Sequence, residues 1–445
     1  MSDTANDGVL AQNRVRTLAA LTLPAILIGV VSALILFGLD EAAAVLQHLL
    51  WDDLPGAVGV NPDSGWWIFG ILTLTGAAVG LITRFVPGHG GPDSAESELA
   101  ESALPIGVIP SLAAAAVLGL AGGVSLGPEN PIIAINAAVL TVLVGRFFPR
   151  VPGKLIVGMT IAGTVGALFG TPVAAALLFT GIVGSTAGAG ALFDKLFLPL
   201  VAAGAGAVVM NLLGGTLLDI SVPPADSVNG WDILAAMIIA PLAAGFGLLG
   251  VFAFRWAHRV FHRLSNPVLF TTLGGALLGL LGVIGGPITL FKGAEESGEL
   301  LATPGQPFGT LLLLAVIKLC ALVIAAAAGF RGGRIFPSVF IGVAFGLAAG
   351  ALVPDVPVSV VVSAAVLGLV LAVARDGWMA LFIAVVITGD VAVTALLCLA
   401  VLPAWLVVTN APHMLAADDG GGNGHGHGGG SGSPAGGPEP RPGTG

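Results

Sequence analysis

The chain has 445 residues, of which 56% are hydrophobic and only 9% charged, with a formal net charge of −9 and a mean hydropathy of +1.00. A water-soluble domain carries about 25% charged residues, so this composition excludes an ordinary soluble fold and points to a polytopic membrane protein. The net charge says nothing of orientation, which follows local Lys and Arg.

Residues 1–14 read as a polar leader. Apolar stretches able to enter or cross a bilayer then lie near 17–38, 66–86, 104–121, 131–148, 155–180, 196–214, 231–254, 268–291, 308–329, 337–353, 356–374 and 378–409. Against roughly 20 residues for a complete span, several are too short to cross fully. The first has no small-residue cleavage site behind it and is read as retained. Arg14 and Arg16, then Arg146, Arg150 and Lys154, then Arg255, Arg259 and Arg263 mark connections expected on the cytoplasmic side. The loop at 49–65 carries Asp52, Asp53 and Asp63 without a basic residue and is expected outside, with Trp51, Trp66 and Trp67 as interface anchors. Cys320 and Cys398 sit in apolar runs and read as buried thiols.

Two breaks interrupt the apolar pattern, Gly-Pro-Glu-Asn-Pro at 127–131 and Gly-Gly-Arg-Ile-Phe-Pro at 332–337, each followed at once by a helical run. Non-helical backbone at membrane depth survives only where protein or a water-filled cavity satisfies it, so each break is a candidate binding site. A further break at Gly170-Thr171-Pro172 follows Pro131 by 41 residues, and Arg375-Asp376-Gly377 follows Pro337 by 39 to Asp376. This spacing predicts two repeats, 15–225 and 226–412, of the kind that build transporters around discontinuous helices. From about 415 the composition collapses to Gly, Pro, Ser and His, so 413–445 is set apart as a disordered tail, the segment 417–445 being unable to bury a core. His425 and His427 read as part of that solvated tail, and no cofactor, resident metal or nucleic-acid partner is expected.

The run after Pro131 ends at Arg146 and Arg150, which belong at an interface, so its N-terminus lies within the membrane and presents free amides to an anion. Pro337 opens a similar helix from the other half, and Gly88-His89-Gly90-Gly91-Pro92 is a third candidate, with an ordinary turn as the plainer reading. Glu129 is the residue of greatest interest. Burying an ionisable group in a bilayer costs at least about 2.5 to 3.5 kcal/mol, more than a carboxylate clearly gains at a helix N-terminus, roughly 0.3 to 2 kcal/mol. A carboxylate there competes with an anion for the same amides, and protonation releases it. Lys318, inside an apolar run, either pairs with a carboxylate, Asp390 being one candidate, or raises the potential along an anion path. Arg331 and Arg334 either bond backbone or face the cytoplasm, or else draw anions to a vestibule.

At these residues the chain resembles the chloride channel (CLC) family of anion channels and anion/proton exchangers, over roughly 15–410. Gly127-Pro128-Glu129-Asn130-Pro131 is similar to the family's Gly-Arg-Glu-Gly-Pro motif, Gly333-Arg334-Ile335-Phe336-Pro337 to its Gly-x-Phe-x-Pro motif, and Gly88 to Pro92 to its Gly-Ser-Gly-Ile-Pro motif. Over its whole length it most resembles a bacterial branch described only in terms of ion transport. The resemblance implies an all-α membrane fold of two inverted helical repeats with broken, tilted helices, in a homodimer with one pore per subunit in a bacterial plasma membrane, N-terminus cytoplasmic. It implies Glu129 as the gate, and coordination of chloride or a similar inorganic anion around Gly88–Pro92, Gly127–Asn130, and Gly333, Arg334, Ile335 and Phe336. Three departures accompany it. His89 stands where the family has a serine, the chain has no tyrosine, and Gly181 and Ile182 fall where exchangers carry an inner proton-accepting glutamate. His89 could supply an imidazole donor that titrates near neutral pH, or be a structural histidine bonded to a carbonyl. The expectation is channel-like or weakly coupled anion transport. Anion/proton exchange by another inner route is the alternative, and a membrane enzyme, lacking any His-Glu-x-x-His or Gly-x-Ser-x-Gly in the apolar region, is remote.

Overall fold

A computed structural model describes residues 2–95, 103–184 and 192–416, apart from 216, 219, 221 and 226. The first half runs through α1 (Ser2–His48), α2 (Leu54–Val58), α3 (Gly65–Phe85), α4 (Ile109–Ala121), α5 (Glu129–Phe147), α6 (Gly153–Phe169), α7 (Pro172–Gly184) and α8 (Leu192–Leu212). The second runs through α9 (Gly230–Phe261), α10 (Pro267–Gly285), α11 (Ala294–Ala302), α12 (Phe308–Ala327), α13 (Ile335–Leu352), α14 (Val358–Ala374), α15 (Gly377–Thr388) and α16 (Val391–Val408). Among the described residues nine helical segments are long and apolar enough to cross a bilayer. The polar leader forms the opening turns of α1.

The repeat is visible in the packing. α6 lies against α1, α5 and α8 as α14 lies against α9, α13 and α16, and the halves meet through α3 on α10 and α7 on α15. Small residues permit such approach between membrane helices. At the α3–α10 crossing a methyl on Gly76 would overlap the Thr271 carbonyl, and one on Gly275 the Leu72 carbonyl.

The chain breaks where Gly and capping side chains stop it. Gly170 (φ 66°) separates α6 from α7, and Arg375, also left-handed (φ 57°), separates α14 from α15, where Asp376 accepts from the Met379 amide at 2.9 Å. The apolar stretch 378–409, expected as one run, is two helices, because Gly389 (φ 58°) turns the backbone and Asp390 caps α16 by accepting from the Ala392 amide at 2.8 Å.

Two other expectations are corrected. Cys320 and Cys398 are exposed on the outer surface, where an apolar helix face that meets lipid accommodates a thiol as readily as a core does. Residues 413–416, assigned to the tail, pack onto the protein: Met414 is fully buried, its carbonyl accepts from Arg334, and the Ala416 amide donates to Ala95. The segment 417–445 lies outside the described residues.

Candidate functional site

The two breaks meet. Gly127 and Gly333 form an isolated antiparallel bridge, the Gly127 amide donating to Gly333 at 2.9 Å and the Gly333 amide to Gly127 at 2.7 Å. Left-handed Gly123 and Gly329 precede them, and Glu129 and Ile335 open α5 and α13, each pair 206 residues apart (329 − 123, 333 − 127 and 335 − 129). The helix starts of the two halves are thus brought to one point, and the first turn of α5 carries a carboxylate where that of α13 has none.

Glu129 is 2% exposed. Its Oε1 accepts from the Phe336 amide at 3.0 Å, so the carboxylate of one half sits on the N-terminus of the helix from the other. A helix start leaves its first amides without intrahelical partners and carries partial positive charge, which favours this. Oε2 has no hydrogen-bond partner among the described residues. The side chain folds back against glycine, since a methyl on Gly127 or on Gly333 would overlap its carboxylate. Gly333→Ala is therefore expected to destabilise the fold by about 1–3 kcal/mol, as overpacking does, and Glu129→Gly to recover most of that loss. Thermal unfolding of the two single variants and the double variant measures this, and equal cost of Gly333→Ala in both backgrounds would count against the contact.

Beside the carboxylate lies a cavity of about 110 Å³, whose lining includes Glu129, Asn130, Phe169, Arg334, Ile335 and Asp376. That exceeds the roughly 10–15 Å³ one water molecule needs. Phe169 closes one wall, stacked on Phe336 with centroids 6.2 Å apart and edge-on to Phe382 at 5.7 Å.

The residues expected at 88–92 are placed differently. Gly88, His89, Gly90 and Gly91 all have positive φ, between 51° and 92°, and residues 92–95 after them are not helical. The loop spends its amides locally: Gly90 donates to the Ser111 hydroxyl at 3.2 Å, and Gly91 to Gly88 at 2.9 Å. His89 is exposed, its Nδ1 2.9 Å from the Thr83 carbonyl oxygen, the carbonyl-bonded arrangement rather than a donor aimed at the breaks. Ser94, which sequence reasoning passed over, reaches the second break instead. It is buried, its hydroxyl accepts from the Gly332 amide at 3.0 Å and its carbonyl accepts from Arg334.

Both arginines beside the second break bond backbone. Arg331 donates to Gly90 at 2.9 Å and Gly329 at 3.2 Å and pairs with Asp93 at 3.4 Å; Arg334 donates to Met414 and Ser94 and lies over the Phe254 ring at 5.6 Å. Burial would raise the Asp93 carboxyl, but the hydrogen bond from His262 and the charge of Arg331 hold it below its ordinary value.

Lys318 does not pair with Asp390, which caps α16 and accepts from the Ala225 amide. It is fully buried and donates to the carbonyls of Thr289 (3.0 Å), Leu290 (2.5 Å) and Phe291 (2.8 Å), over the Phe340 ring at 5.1 Å and within the electrostatic reach of Glu296.

The family model for the voltage gated chloride channel matches residues 74–409. The chain belongs to this family. "Putative ion-transport protein YfeO" of Escherichia coli (strain HS) is 47% identical over 402 residues, covering 90% of this chain and 96% of the relative, and the protein of that name from strain K12 / DH10B matches equally. Among solved structures, a slow cyanobacterial Cl−/H+ antiporter superposes with a TM-score of 0.74 at 17% identity, covering 88% of this chain and 95% of that one. A CLC-type fluoride/proton antiporter gives 0.70 at 17% identity, with coverage of 89% and 97%. These likenesses establish the fold, two inverted helical repeats with broken helices, in an integral membrane protein of the family.

Proposed function

We propose that this CLC-family protein moves a small inorganic anion, chloride or one like it, across the membrane, with Glu129 as the gate between the helix starts at 127–130 and 333–336. The observation that carries this reading is the Glu129 carboxylate accepting from the Phe336 amide, because an anion and a carboxylate compete for the same donor. Protonation weakens the carboxylate's hold, so flux rises as pH falls.

Transport is channel-like or weakly coupled to protons, a reading supported by Gly181 and Ile182 standing where an exchanger's inner glutamate falls. Proton-coupled exchange is the second reading, favoured by two structural neighbours that are proton antiporters. The protein works as a homodimer in a bacterial plasma membrane, with its N-terminus and the Arg146–Lys154 and Arg255–Arg263 connections in the cytoplasm. No enzymatic role is proposed.

The test is flux from liposomes containing the purified protein, with chloride efflux and external pH recorded together and nitrate and fluoride as comparison anions. Chloride movement without protons is the expected result. Stoichiometric opposed proton movement would establish exchange instead, and silence for all three anions would defeat the proposed function.

A further inference from the structure

Away from the breaks, the end of α9 carries a feature the proposed transport does not use. His258 and His262 stand four residues apart, one helical turn, so their rings lie on one face; the centroids are 3.8 Å apart and the planes 25° from parallel. The loop that follows α3 brings Asp93 against them. One ligand atom from each of the three residues lies within 4.8 Å of the others, and His262 Nε2 is 3.7 Å from Asp93 Oδ2.

Three observations suit this cluster to a metal ion. His258 Nε2 is buried without a hydrogen-bond partner among the described residues, a cost that a bound ion removes. His262 Nδ1 lies 3.0 Å from the His258 carbonyl, which can only accept, so Nδ1 carries a proton, and Nε2, which donates to Asp93 while the ring is charged, is the nitrogen that gives up its proton to an ion. That arrangement, the far nitrogen anchored to a carbonyl, is how ligating histidines are oriented and fixed in one tautomer. Bonds of about 2.0–2.2 Å to a tetrahedral zinc ion put neighbouring donor atoms roughly 3.4 Å apart, close to the 3.7 Å between His262 Nε2 and Asp93 Oδ2, with His258 inside the same 4.8 Å limit.

We propose that Asp93, His258 and His262 form a binding site for one divalent transition-metal ion of the zinc class, linking the end of α9 to the loop after α3. Two imidazoles and one carboxylate select such an ion over magnesium or calcium, which prefer oxygen. Three protein ligands leave a position open for water or an anion. Arg331 already pairs with Asp93, and Arg255, Arg259 and Arg263 lie on or just beyond the same helix, so the ion binds against local positive charge and takes part of the carboxylate from Arg331. Asp93 is next to Ser94, whose hydroxyl holds the Gly332 amide, so the site lies one residue from the support of the second break.

The experiment uses the full chain in detergent, stripped with a chelator, carrying His425→Ala and His427→Ala so that tail histidines do not contribute. Calorimetric titration with zinc chloride is expected to give one saturable equivalent per chain, and cobalt(II) to give the intense visible bands of a four-coordinate site. His258→Gln and His262→Gln, each retaining the parent gel-filtration profile, are expected to weaken zinc binding by about tenfold or more, the loss seen when even an outer-shell partner is removed. Magnesium chloride is expected to give no binding. Absence of saturable zinc binding in the tail-substituted protein would overturn the proposal, as would affinity and cobalt bands unchanged in both glutamine variants.

Discussion

Lys318→Met is expected to leave little folded protein. The ammonium is fully buried and satisfies three successive carbonyls, those of Thr289, Leu290 and Phe291, at the connection between α10 and α11. Methionine matches its length and can rest on Phe340, so the substitution removes charge and donors while sparing volume. Each carbonyl left unsatisfied costs about 1–3 kcal/mol. Glu296, already pushed upward by its own burial and relieved in part by Lys318, loses a compensating charge. The sum, on the order of several kcal/mol, is comparable to the 5–15 kcal/mol that holds a typical domain folded. The measurement is the yield of monodisperse protein after extraction in mild detergent, followed by thermal unfolding. A variant recovered at parent yield with an unchanged midpoint would mean that Lys318 does not hold this connection together.

Glu129→Gln is expected to fix transport at the rate the parent reaches only in acid. Glutamine keeps the size of the side chain and loses its charge, so the Phe336 amide is no longer held by an anionic competitor. A hydrogen bond to a charged group contributes about 1.5–3 kcal/mol, which corresponds to roughly 10- to 150-fold in occupancy of the donor. Parent flux should climb as external pH is lowered, while the variant's profile stays flat and high. Anion efflux from liposomes across that range measures both. A variant with the parent's pH dependence would remove Glu129 from the gate.

Much of the architecture was readable because its signals are local. Gly, Pro and a carboxylate inside apolar sequence mark the break at 127–131, and the matching interval to the next break exposes the repeat. The bridge between Gly127 and Gly333 follows from that symmetry. What could not be read depends on distant backbone. His89 turns outward because Arg331, 242 residues later in the chain, draws the carbonyls of its loop while Ser111 takes an amide. The partners of Lys318 are carbonyls, which every residue carries, so no side-chain pattern announces them. Ser94 is an unremarked hydroxyl until Gly332 is folded beside it. By contrast the His-x-x-x-His spacing at 258–262 was in plain view and acquires chemistry only when Asp93 is brought to it.

The Gly127–Gly333 bridge also orders events during synthesis. Chains emerge N-terminus first at roughly 5–20 residues per second, so Glu129 is made at least ten seconds before the amide that receives it. Until residue 333 arrives, a buried carboxylate and the open start of α5 have no partner from the second half. Arg334 waits longer still, for the carbonyl of Met414. The nascent first half therefore holds an incomplete polar centre in the bilayer through nearly half of translation, which marks that interval as the one in which a membrane chaperone or a second copy of the chain has most to bind.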